Sequence, residues 1–468
     1  MTAVFDPARV RRAFVLGLGL SGGAAARLLR SRGVEIVACD RRRADELELE
    51  GLAGATGVEL VTGGEPAALP PGIDVVVASP GVAPGHPLLA AARAAGVPVV
   101  AEVELAFAWL DGTVVAITGS NGKSTTTAMT GHLLAAAGFA VEVCGNIGVP
   151  LAAVVDGPPG RTFVVELSSF QLETIDRFRP RAAALLNLSP DHLDRHGDLA
   201  GYLAAKRRIF ANQGGSDTAV LNADEPEVAA TPVASRRRLF SRLTAVDDGC
   251  ALAGETVVER APGAPDAALF AVADVPLPGP HNVENAMAAA LLARAVGAPA
   301  GGLGAALRSF RGLPHRLERF AERAGVAWYD DSKGTNVAAT ARSLEGFADG
   351  SVHVVLGGRN KGADFRWLRD VVARKVRHAY LIGESAADLE RALAGTTGLE
   401  RSGTLEAAVA AAAGRARAGE VVVLSPACAS FDQFRDYRDR GRQFQRLVAL
   451  LAAAPGGRGG ADGQEARV

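Results

Sequence analysis

A glycine-rich stretch ending in Lys-Ser-Thr follows the apolar run at residues 114–117 and carries the strongest chemical signal in the sequence. Glycines let backbone N–H groups approach phosphate oxygens, and a lysine followed by a hydroxyl can hold a polyphosphate with its Mg²⁺. The usual phosphate loop has a glycine five residues before Gly122, but that position is Ile117. We therefore predict a shortened phosphate loop that opens a helix, rather than an ordinary strand-to-helix turn. Its candidate phosphate-binding residues are Gly119, Asn121, Gly122, Lys123, Ser124, Thr125 and Thr126.

Three further side chains of this region have the chemistry of metal ligands. Glu166 ends an apolar run at 162–165, a position from which a carboxylate can hold Mg²⁺ on the β- and γ-phosphates. His192 follows the run at 183–186 and either ligates a metal or orients a substrate. Lys206 lies on the apolar face of a predicted helix, so it either snorkels to the surface or enters the site with a lowered pKa. A neutral lysine amine can add carbon dioxide and become a carbamate, an oxygen ligand suited to Mg²⁺.

A second nucleotide signal stands near the amino terminus. Residues 17–22 match a dinucleotide fingerprint after the first predicted strand, and Asp40 ends the next strand at the distance expected for a ribose or base contact. Taken alone, this pattern favours an NAD(P)-dependent oxidoreductase, with Arg41, Arg42 and Arg43 as partners for a 2′-phosphate. A second phosphate loop at Lys123 argues against that alternative, because hydride transfer does not need one.

Charged loops follow three predicted strands in the last third of the chain. They lie at residues 330–336, 357–365 and 425–434. Any one of them can be a structural turn. Because carboxyl ends of parallel strands share one edge of a sheet, the three together predict a site for a small charged ligand.

The overall pattern is one of apolar runs alternating with Ala- and Leu-rich helical stretches, which predicts an α/β fold with mostly parallel sheets. We expect three domains at residues 1–101, 102–312 and 313–454, followed by a disordered tail at 455–468. The first and third are expected to be Rossmann-like, and the second resembles a P-loop ATPase domain. Strands are predicted at residues 13–16, 34–39, 75–78, 99–100, 162–165, 183–186, 327–329, 352–356, 379–382 and 421–424.

Composition narrows the class of protein. Lys and Arg number 50 against 51 Asp and Glu, a formal net charge of -1, which argues against nonspecific nucleic-acid binding and a polybasic membrane anchor. The four cysteines are far apart and show neither zinc-ligand spacing nor a disulfide framework. No leader or membrane-spanning run is evident. We expect a soluble cytoplasmic protein that acts on small molecules, with neither nucleic acid nor membrane insertion.

These motifs together resemble the Mur ligase family over nearly the whole chain. The shortened phosphate loop is typical of that family. Folylpolyglutamate synthetase resembles the same central region, but the C-terminal loops favour the D-glutamate-adding branch of the Mur ligases. The resemblance rests on residues 117–125, 145–148, 166–171, 191–192, 206, 281–286, 314–316, 331–336, 357–365 and 425–434.

The resemblance implies a monomer that joins D-glutamate to UDP-N-acetylmuramoyl-L-alanine with ATP, through an acyl phosphate, in peptidoglycan synthesis, and so serves cell-wall biogenesis, cell shape and division. The UDP substrate would contact Leu20, Ser21, Asp40, Arg42 and Gly81, with its muramoyl-alanine part at Asn146 and His192. ATP would contact the loop residues with Asn282, Asn285, Arg316 and Asp331. D-glutamate would contact Lys333, Thr335, Lys361 and Ser430, and also Tyr437, where the family usually has Phe.

The resemblance also implies two Mg²⁺ ions. One would be held by Ser124 and Glu166, and the other by His192 and a carbamylated Lys206. The expected catalytic residues are Lys123, Glu166, His192 and Lys206. An oxidoreductase, a folylpolyglutamate-synthetase-like ligase and a nonenzymatic nucleotide-binding module are the alternatives; the last predicts ATP binding without turnover.

Overall fold

The structure, a computed structural model, describes residues 5–451 and contains three β-sheets flanked by helices. The described residues form two compact units. One takes in the chain up to Pro276 together with His281–Phe310, and the other takes in Leu277–Pro280 and the chain from Arg311 onward. The predicted α/β class with mostly parallel sheets is confirmed. The predicted tail at 455–468 lies outside the described residues.

The first sheet is entirely parallel, in the order β3-β2-β1-β4-β5. Strands β1 and β4 are apolar and buried, as expected where helices cover both faces of a sheet. Because β1 lies between β2 and β4, its carboxyl end is a topological switch point, where open α/β sheets bind ligands. The elements are β1 (Arg12–Leu16), α1 (Leu20–Ser31), β2 (Glu35–Asp40), β3 (Val58–Thr62), β4 (Val75–Ala78), α2 (Pro87–Ala94), β5 (Val99–Ala101) and α3 (Glu102–Phe107).

The second sheet has nine strands in the order β14-β13-β12-β11-β10-β9-β6-β8-β7. It is parallel from β7 to β12, and β13 and β14 extend it as antiparallel strands. The strands are β6 (Gly112–Thr118), β7 (Val141–Gly145), β8 (Arg161–Glu166), β9 (Ala182–Leu185), β10 (Thr218–Asn222), β11 (Arg236–Ser241), β12 (Gly249–Ala253), β13 (Thr256–Arg260) and β14 (Ala267–Ala271). The helices are α4 (Lys123–Ala136), α5 (Ser169–Leu172), α6 (Leu193–His196), α7 (Leu199–Arg207), α8 (Pro226–Ala229), α9 (Pro280–Ala295) and α10 (Leu303–Ser309).

The order β9-β6-β8 brings three functional segments together. The phosphate loop follows β6, the segment with Glu166 ends β8, and the loop with His192 follows β9. All three strands are parallel and almost wholly buried. Their polar ends therefore meet at one edge of the sheet, although they are far apart in the sequence.

The third sheet lies in the second unit, in the order β15-β16-β20-β17-β18-β19, with only the β15–β16 pair antiparallel. The three charged loops that are predicted to bind a small ligand follow strands β16, β17 and β20. These strands are neighbours in the sheet, in the order β16-β20-β17. Its elements are β15 (Glu318–Arg323), β16 (Val326–Asp330), α11 (Val337–Glu345), β17 (Val352–Gly357), α12 (Arg369–Lys375), β18 (Val376–Ile382), α13 (Ala386–Leu393), β19 (Gly398–Gly403), α14 (Leu405–Arg415), β20 (Val421–Leu424) and α15 (Tyr437–Leu450).

The first two sheets are joined by a shared apolar core. Ala24 and Leu28 of α1 belong to the same cluster as Leu151 and Ala152, which precede β8, and Val103 of α3 joins them. The three sheets match the three predicted domains, but the first two pack as one compact unit. The boundaries near residues 101 and 312 stay predictions.

Every strand predicted from an apolar run is present, within a few residues of its predicted ends. Strands β3, β7, β10 to β15 and β19 were not predicted, because most are short, polar or at a sheet edge; β11 begins with three arginines. Helix α7 ends at Arg207, and a 3₁₀ turn at Arg208–Phe210 follows it and keeps Ile209 and Phe210 buried. All four cysteines are free and buried. Across residues 5–451, none of the helices combines the length and apolar character needed to cross a membrane.

Candidate active site

Hydrogen bonds tie the phosphate loop to its neighbours. Gly122, the residue before α4, has φ of 80°, a left-handed conformation that favours glycine. The Asn121 N–H donates to Asn187 Oδ1 over 2.9 Å, and Asn187 Nδ2 donates back to the Asn121 carbonyl over 3.0 Å. Lys123 Nζ donates to the carbonyls of Gly119 and Ser120, each over 2.9 Å. The lysine side chain therefore lies along the loop. When a polyphosphate binds, its oxygens can replace the two backbone carbonyls as partners of the ammonium group.

Glu166 lies directly beside the first turn of α4. Ser124 Oγ donates to Glu166 Oε2, and Asn146 Nδ2 donates to Glu166 Oε1 over 2.8 Å. Ser124 is 3% exposed and Glu166 is 2% exposed, so this hydroxyl–carboxylate pair lies in a nearly dry environment. Two hard oxygen donors at the mouth of a phosphate loop are a donor set that suits Mg²⁺. The structure brings these three predicted site residues together.

Lys206 enters the site rather than snorkelling. It is 1% exposed, and its Nζ donates to the Gly119 carbonyl over 2.7 Å. Burial, and secondarily the charge of Lys123, lowers the pKa of the Lys206 ammonium to about 6. At neutral pH the amine is therefore mostly uncharged, the form that can add carbon dioxide. Its Nζ also lies 4.3 Å from the ring centre of Tyr202.

His192 is at the rim of the same site, with about half of its side chain exposed. It has φ of 52°, an uncommon backbone conformation for a residue other than glycine, immediately before α6. Its ring packs edge-on against Phe170, with the centroids 4.8 Å apart. Phe170 belongs to α5, which follows Glu166, so the aromatic contact joins the loops after β8 and β9.

The remaining predicted ATP residues of the first unit lie behind the loop. Asn285 in α9 accepts a hydrogen bond of 3.2 Å from Thr126 Oγ1 and donates one of 3.1 Å to Asn282 Oδ1. Both asparagines and Thr126 are buried, whereas Thr125 is partly exposed. The Thr126 hydroxyl is thus directed at α9, and its proposed contact with ATP phosphates needs that hydrogen bond to be exchanged.

The N-terminal turn is tied to Asp40. The Leu18 N–H donates to Asp40 Oδ2 over 2.7 Å, and the Arg42 guanidinium contacts both carboxylate oxygens at 2.8 and 3.0 Å. Hydrogen bonds from Arg42 lower the pKa of Asp40 to about 2. Gly17 has φ of 87°, and its carbonyl accepts from Ser79 Oγ over 2.8 Å. The carboxylate therefore shapes the glycine-rich turn.

The other predicted UDP residues surround this turn. Leu20 begins α1 and is 62% exposed, an unusual degree for a leucine, and Ser21 beside it is partly exposed. Gly81 is exposed in the loop after β4. Arg41 pairs with Glu65 and Arg43 with Asp45, so these two arginines are engaged by carboxylates.

In the second unit, Asp331 lies at the centre of a buried network. Ser343 and Ser425 each donate to Asp331 Oδ2 over 2.7 Å, and the Leu317 N–H donates to Oδ1 over 3.2 Å. Burial raises the pKa of the Asp331 carboxyl to about 6. Arg316 immediately precedes Leu317. The network therefore places Arg316 and Asp331, which are both predicted to contact ATP, near each other.

The predicted D-glutamate residues are brought together only in part. Lys333 Nζ lies 3.9 Å from the ring centre of Tyr437, the first residue of α15. Thr335 is partly exposed two residues further on, and Ser430 is buried in the loop after β20. Lys361 is exposed in the loop after β17, and no described contact joins it to the others.

Arg440 holds two of these C-terminal loops together. Fully buried in α15, it donates from Nη2 to the Ser332 carbonyl over 2.9 Å and to the Cys428 carbonyl over 3.2 Å. Sequence reasoning missed it because an arginine on a polar helix carries no signal of burial. Asn187 and Arg195 were also missed, although both lie in a polar segment that follows a predicted strand.

Three family models together match most of the chain. Residues 11–101 match the Mur ligase MurD-like N-terminal domain, residues 117–293 the Mur ligase middle domain, and residues 315–428 the Mur ligase glutamate ligase domain. The middle-domain match contains the phosphate loop, Glu166, His192 and Lys206.

Curated relatives extend the match over nearly the full length. A protein of Acidobacterium capsulatum is 44% identical, with 94% of this chain and 96% of the relative covered. A protein of Myxococcus xanthus is 45% identical, with 94% and 98% covered. Both relatives are named UDP-N-acetylmuramoylalanine--D-glutamate ligase. These relatives do not support the oxidoreductase or folylpolyglutamate-synthetase-like alternatives.

Solved structures share the fold at lower identity. The UDP-N-acetylmuramate-alanine ligase MurC of Thermotoga maritima has a TM-score of 0.61 at 18% identity, with 95% of this chain and 100% of that chain covered. The MurF ligase of the same organism, in complex with ADP, has a TM-score of 0.60 at 18% identity, with 96% and 99% covered. The family models and the long, closely related proteins together establish that this chain belongs to the Mur ligase family.

Proposed function

We propose that the protein joins D-glutamate to UDP-N-acetylmuramoyl-L-alanine with cleavage of ATP to ADP and phosphate, in peptidoglycan synthesis. The convergence of Lys123, Ser124, Glu166 and Lys206 on one phosphate loop carries the proposal for ATP chemistry. The names of relatives that are 41–46% identical support the choice of the two other substrates.

The chemistry requires activation, because a carboxylate is a poor electrophile toward an amine. The alanyl carboxylate attacks the γ-phosphorus of ATP, and the bond between that phosphorus and the oxygen bridging to the β-phosphate breaks. ADP departs, and an acyl phosphate is formed. The D-glutamate amine then attacks the acyl carbon, expels phosphate and loses a proton. Lys123 would exchange its contacts with the loop carbonyls for the transferring phosphoryl group and stabilise its charge.

We propose that two Mg²⁺ ions serve as cofactors, supplying charge neutralisation on the phosphates and the tetrahedral intermediate. Ser124 and Glu166 would hold one ion. His192 and Lys206, once carbamylated, would hold the other. The contact of Ser124 with Glu166 and the buried, mostly uncharged amine of Lys206 support this assignment.

For the substrates, we propose that the turn after β1 binds UDP, through Leu20, Ser21, Asp40, Arg42 and Gly81. Asn146 and His192 would contact the muramoyl-alanine part, which fits the hydrogen bond from Asn146 to Glu166. Asn282, Asn285, Arg316 and Asp331 would contact adenosine. D-glutamate would contact Lys333, Thr335, Lys361, Ser430 and Tyr437. We further propose that the protein acts as a cytoplasmic monomer.

Phosphate release tests the reaction. Wild-type protein with ATP, Mg²⁺, UDP-N-acetylmuramoyl-L-alanine and D-glutamate should release phosphate, and leaving out any one of them should abolish the release. Replacing D- by L-glutamate tests stereochemical preference. Lys123→Ala should lower kcat by about 100-fold or more, because one charge on the phosphoryl group is lost. Phosphate release that is indifferent to D-glutamate would contradict the proposal, and ATP binding without turnover would favour a nonenzymatic module.

A further inference from the structure

Arg195 forms a direct link between the catalytic loops and the N-terminal nucleotide turn. Its Nη1 donates to the carbonyls of Pro80 and Val82, over 2.9 and 3.1 Å. Its Nε and Nη2 contact both carboxylate oxygens of Glu173, at 3.1, 3.2 and 2.6 Å. Only 14% of the arginine side chain is exposed. One guanidinium therefore holds the loop after β4 and the end of α5 at fixed positions.

The catalytic side of this link reaches the proposed metal ligands. The Arg195 guanidinium carbon lies 4.1 Å from the ring centre of Phe170, and the same Phe170 ring packs against His192. The Arg195 N–H also donates to the His192 carbonyl over 3.1 Å. The His196 ring also packs against Phe170, and its centre lies 5.2 Å from that of Tyr202, which faces Lys206. Arg195 thus packs against a row of aromatic side chains that contacts both His192 and Lys206.

The N-terminal side of the link reaches the turn after β1. The Val82 N–H donates to the Ser79 carbonyl over 3.0 Å, and Ser79 Oγ donates to the Gly17 carbonyl over 2.8 Å. Gly17 opens the turn that is proposed to bind the UDP diphosphate. A continuous series of contacts therefore runs from Gly17 to His192, with Arg195 as its central member.

We propose that Arg195 is a positioning residue that couples occupation of the UDP site to the arrangement of the ATP–Mg²⁺ site. The inference rests on the proposed function. A UDP substrate that orders the loop at 79–82 fixes the two carbonyls that Arg195 contacts, and this holds the loops bearing Phe170 and His192. Such coupling is reciprocal, so each ligand should raise the affinity for the other by the same factor.

The geometry suits arginine and not lysine. Five N–H donors in a planar fork allow simultaneous contacts with a carboxylate and two carbonyls, while the flat face stacks on an aromatic ring. A lysine ammonium has three donors and no such face. Arg195→Lys should therefore keep the charge but lose most of the coupling, which separates positioning from simple charge.

Coupling can be measured on the full chain with Mg²⁺ and the non-hydrolysable ATP analogue AMP-PNP. Its dissociation constant is determined by calorimetry with and without saturating UDP-N-acetylmuramoyl-L-alanine. In the wild type we expect the substrate to tighten AMP-PNP binding by about tenfold, within the usual range of coupling energies. In Arg195→Met and Arg195→Lys the factor should fall to about twofold or less, while the affinity for AMP-PNP alone changes little.

Arg32→Met is the matched control. Arg32 follows α1 and pairs with Asp156 over 2.6 Å, so it also joins the N-terminal and central parts of the first unit, but away from the site. A role of Arg195 in general packing predicts equal effects in both variants; the positioning role predicts wild-type coupling in Arg32→Met. If Arg195→Met does not fold, Glu173→Gln keeps the side-chain size, weakens the bidentate pair and should also lower the coupling.

Wild-type coupling in the folded Arg195 variants, or equal losses in Arg32→Met, would overturn the inference. A wild-type protein in which the UDP substrate leaves AMP-PNP binding unchanged would overturn it as well. Failure of the proposed function is distinguishable, because the wild type would then show no phosphate release dependent on all three substrates.

Discussion

The amine of Lys206 donates a hydrogen bond of 2.7 Å to the carbonyl of Gly119, which joins helix α7 to the phosphate loop across 87 positions of sequence. The contact places a buried, mostly uncharged amine beside the loop that is proposed to hold the ATP phosphates. It explains why a lysine stands on the apolar face of a helix at the cost of desolvation.

Lys206→Ala and Lys206→Arg test the carbamate. Both variants lack the amine that adds carbon dioxide, so kcat should fall by about 100-fold or more, about 3 kcal/mol of transition-state stabilisation. Added formate or acetate should restore part of the activity of Lys206→Ala, because a small carboxylate can occupy the vacated space. No restoration is expected in Lys206→Arg, where the side chain fills that space. Unchanged activity in either variant would show that the metal-ligand role is wrong.

Gly122→Ala tests the backbone of the phosphate loop. Gly122 has φ of 80°, and an added Cβ would overlap Oδ1 of Asn285. Gly138, at the other end of α4, has φ of 88° with no atom within 4 Å of an added Cβ. Both substitutions should cost about 1–2 kcal/mol of stability from the left-handed backbone. Only Gly122→Ala should also lower kcat/KM for ATP, by about tenfold or more; equal kinetics in the two variants would contradict this.

Tyr437 tests the glutamate pocket. Its ring packs against Lys333 Nζ at 3.9 Å, while its hydroxyl accepts a hydrogen bond of 3.2 Å from exposed Arg438. The hydroxyl is thus engaged by Arg438. Tyr437→Phe should therefore keep KM for D-glutamate within about twofold, and Tyr437→Ala should raise it by about tenfold, since the cation–π contact is lost. A large rise in KM for Tyr437→Phe would assign the hydroxyl to substrate binding.

Replacing Glu102 or Glu104 by Gln should change the stability of the protein in opposite directions. Glu102 Oε2 is buried without a hydrogen-bond partner, and burial raises the pKa of its carboxyl from 4.5 to about 7. The folded state therefore binds a proton more tightly than the unfolded state, and this group's contribution to stability falls as pH rises from about 4.5 through 7. Glu102→Gln should match the wild type near pH 5 and exceed its stability near pH 8, by about 3 kcal/mol at most.

Glu104→Gln is the comparison. The Glu104 carboxylate accepts hydrogen bonds from the N–H groups of Asp176, Arg177 and Phe178 at 2.8–3.0 Å. An amide cannot accept all three, so this variant should lose about 1–3 kcal/mol at both pH values. Urea unfolding at pH 5 and pH 8 measures both. A difference between wild type and Glu102→Gln that does not change with pH would contradict the burial argument.

Apolar periodicity and motif spacing were sufficient for a large part of this protein. The runs at β1, β4 and β20 could be read directly, because strands covered on both faces are apolar throughout. The shortened phosphate loop indicated nucleotide chemistry from local residue types alone. Strands such as β11 and β19 were missed because polar residues and glycines interrupt them, and only pairing with neighbours makes them strands.

The sequence by itself determined which side chains were available: Lys123 in a phosphate loop, Glu166 at the end of a strand and Lys206 among apolar neighbours. Only the tertiary structure decided that Ser124 contacts Glu166, that Lys206 reaches Gly119 and that Arg195 links two loops to the N-terminal turn. The physical reason is that local patterns set the strands, whereas the order β9-β6-β8 is set by nonlocal pairing. That order brings distant strand ends to one edge of the sheet, where their side chains meet.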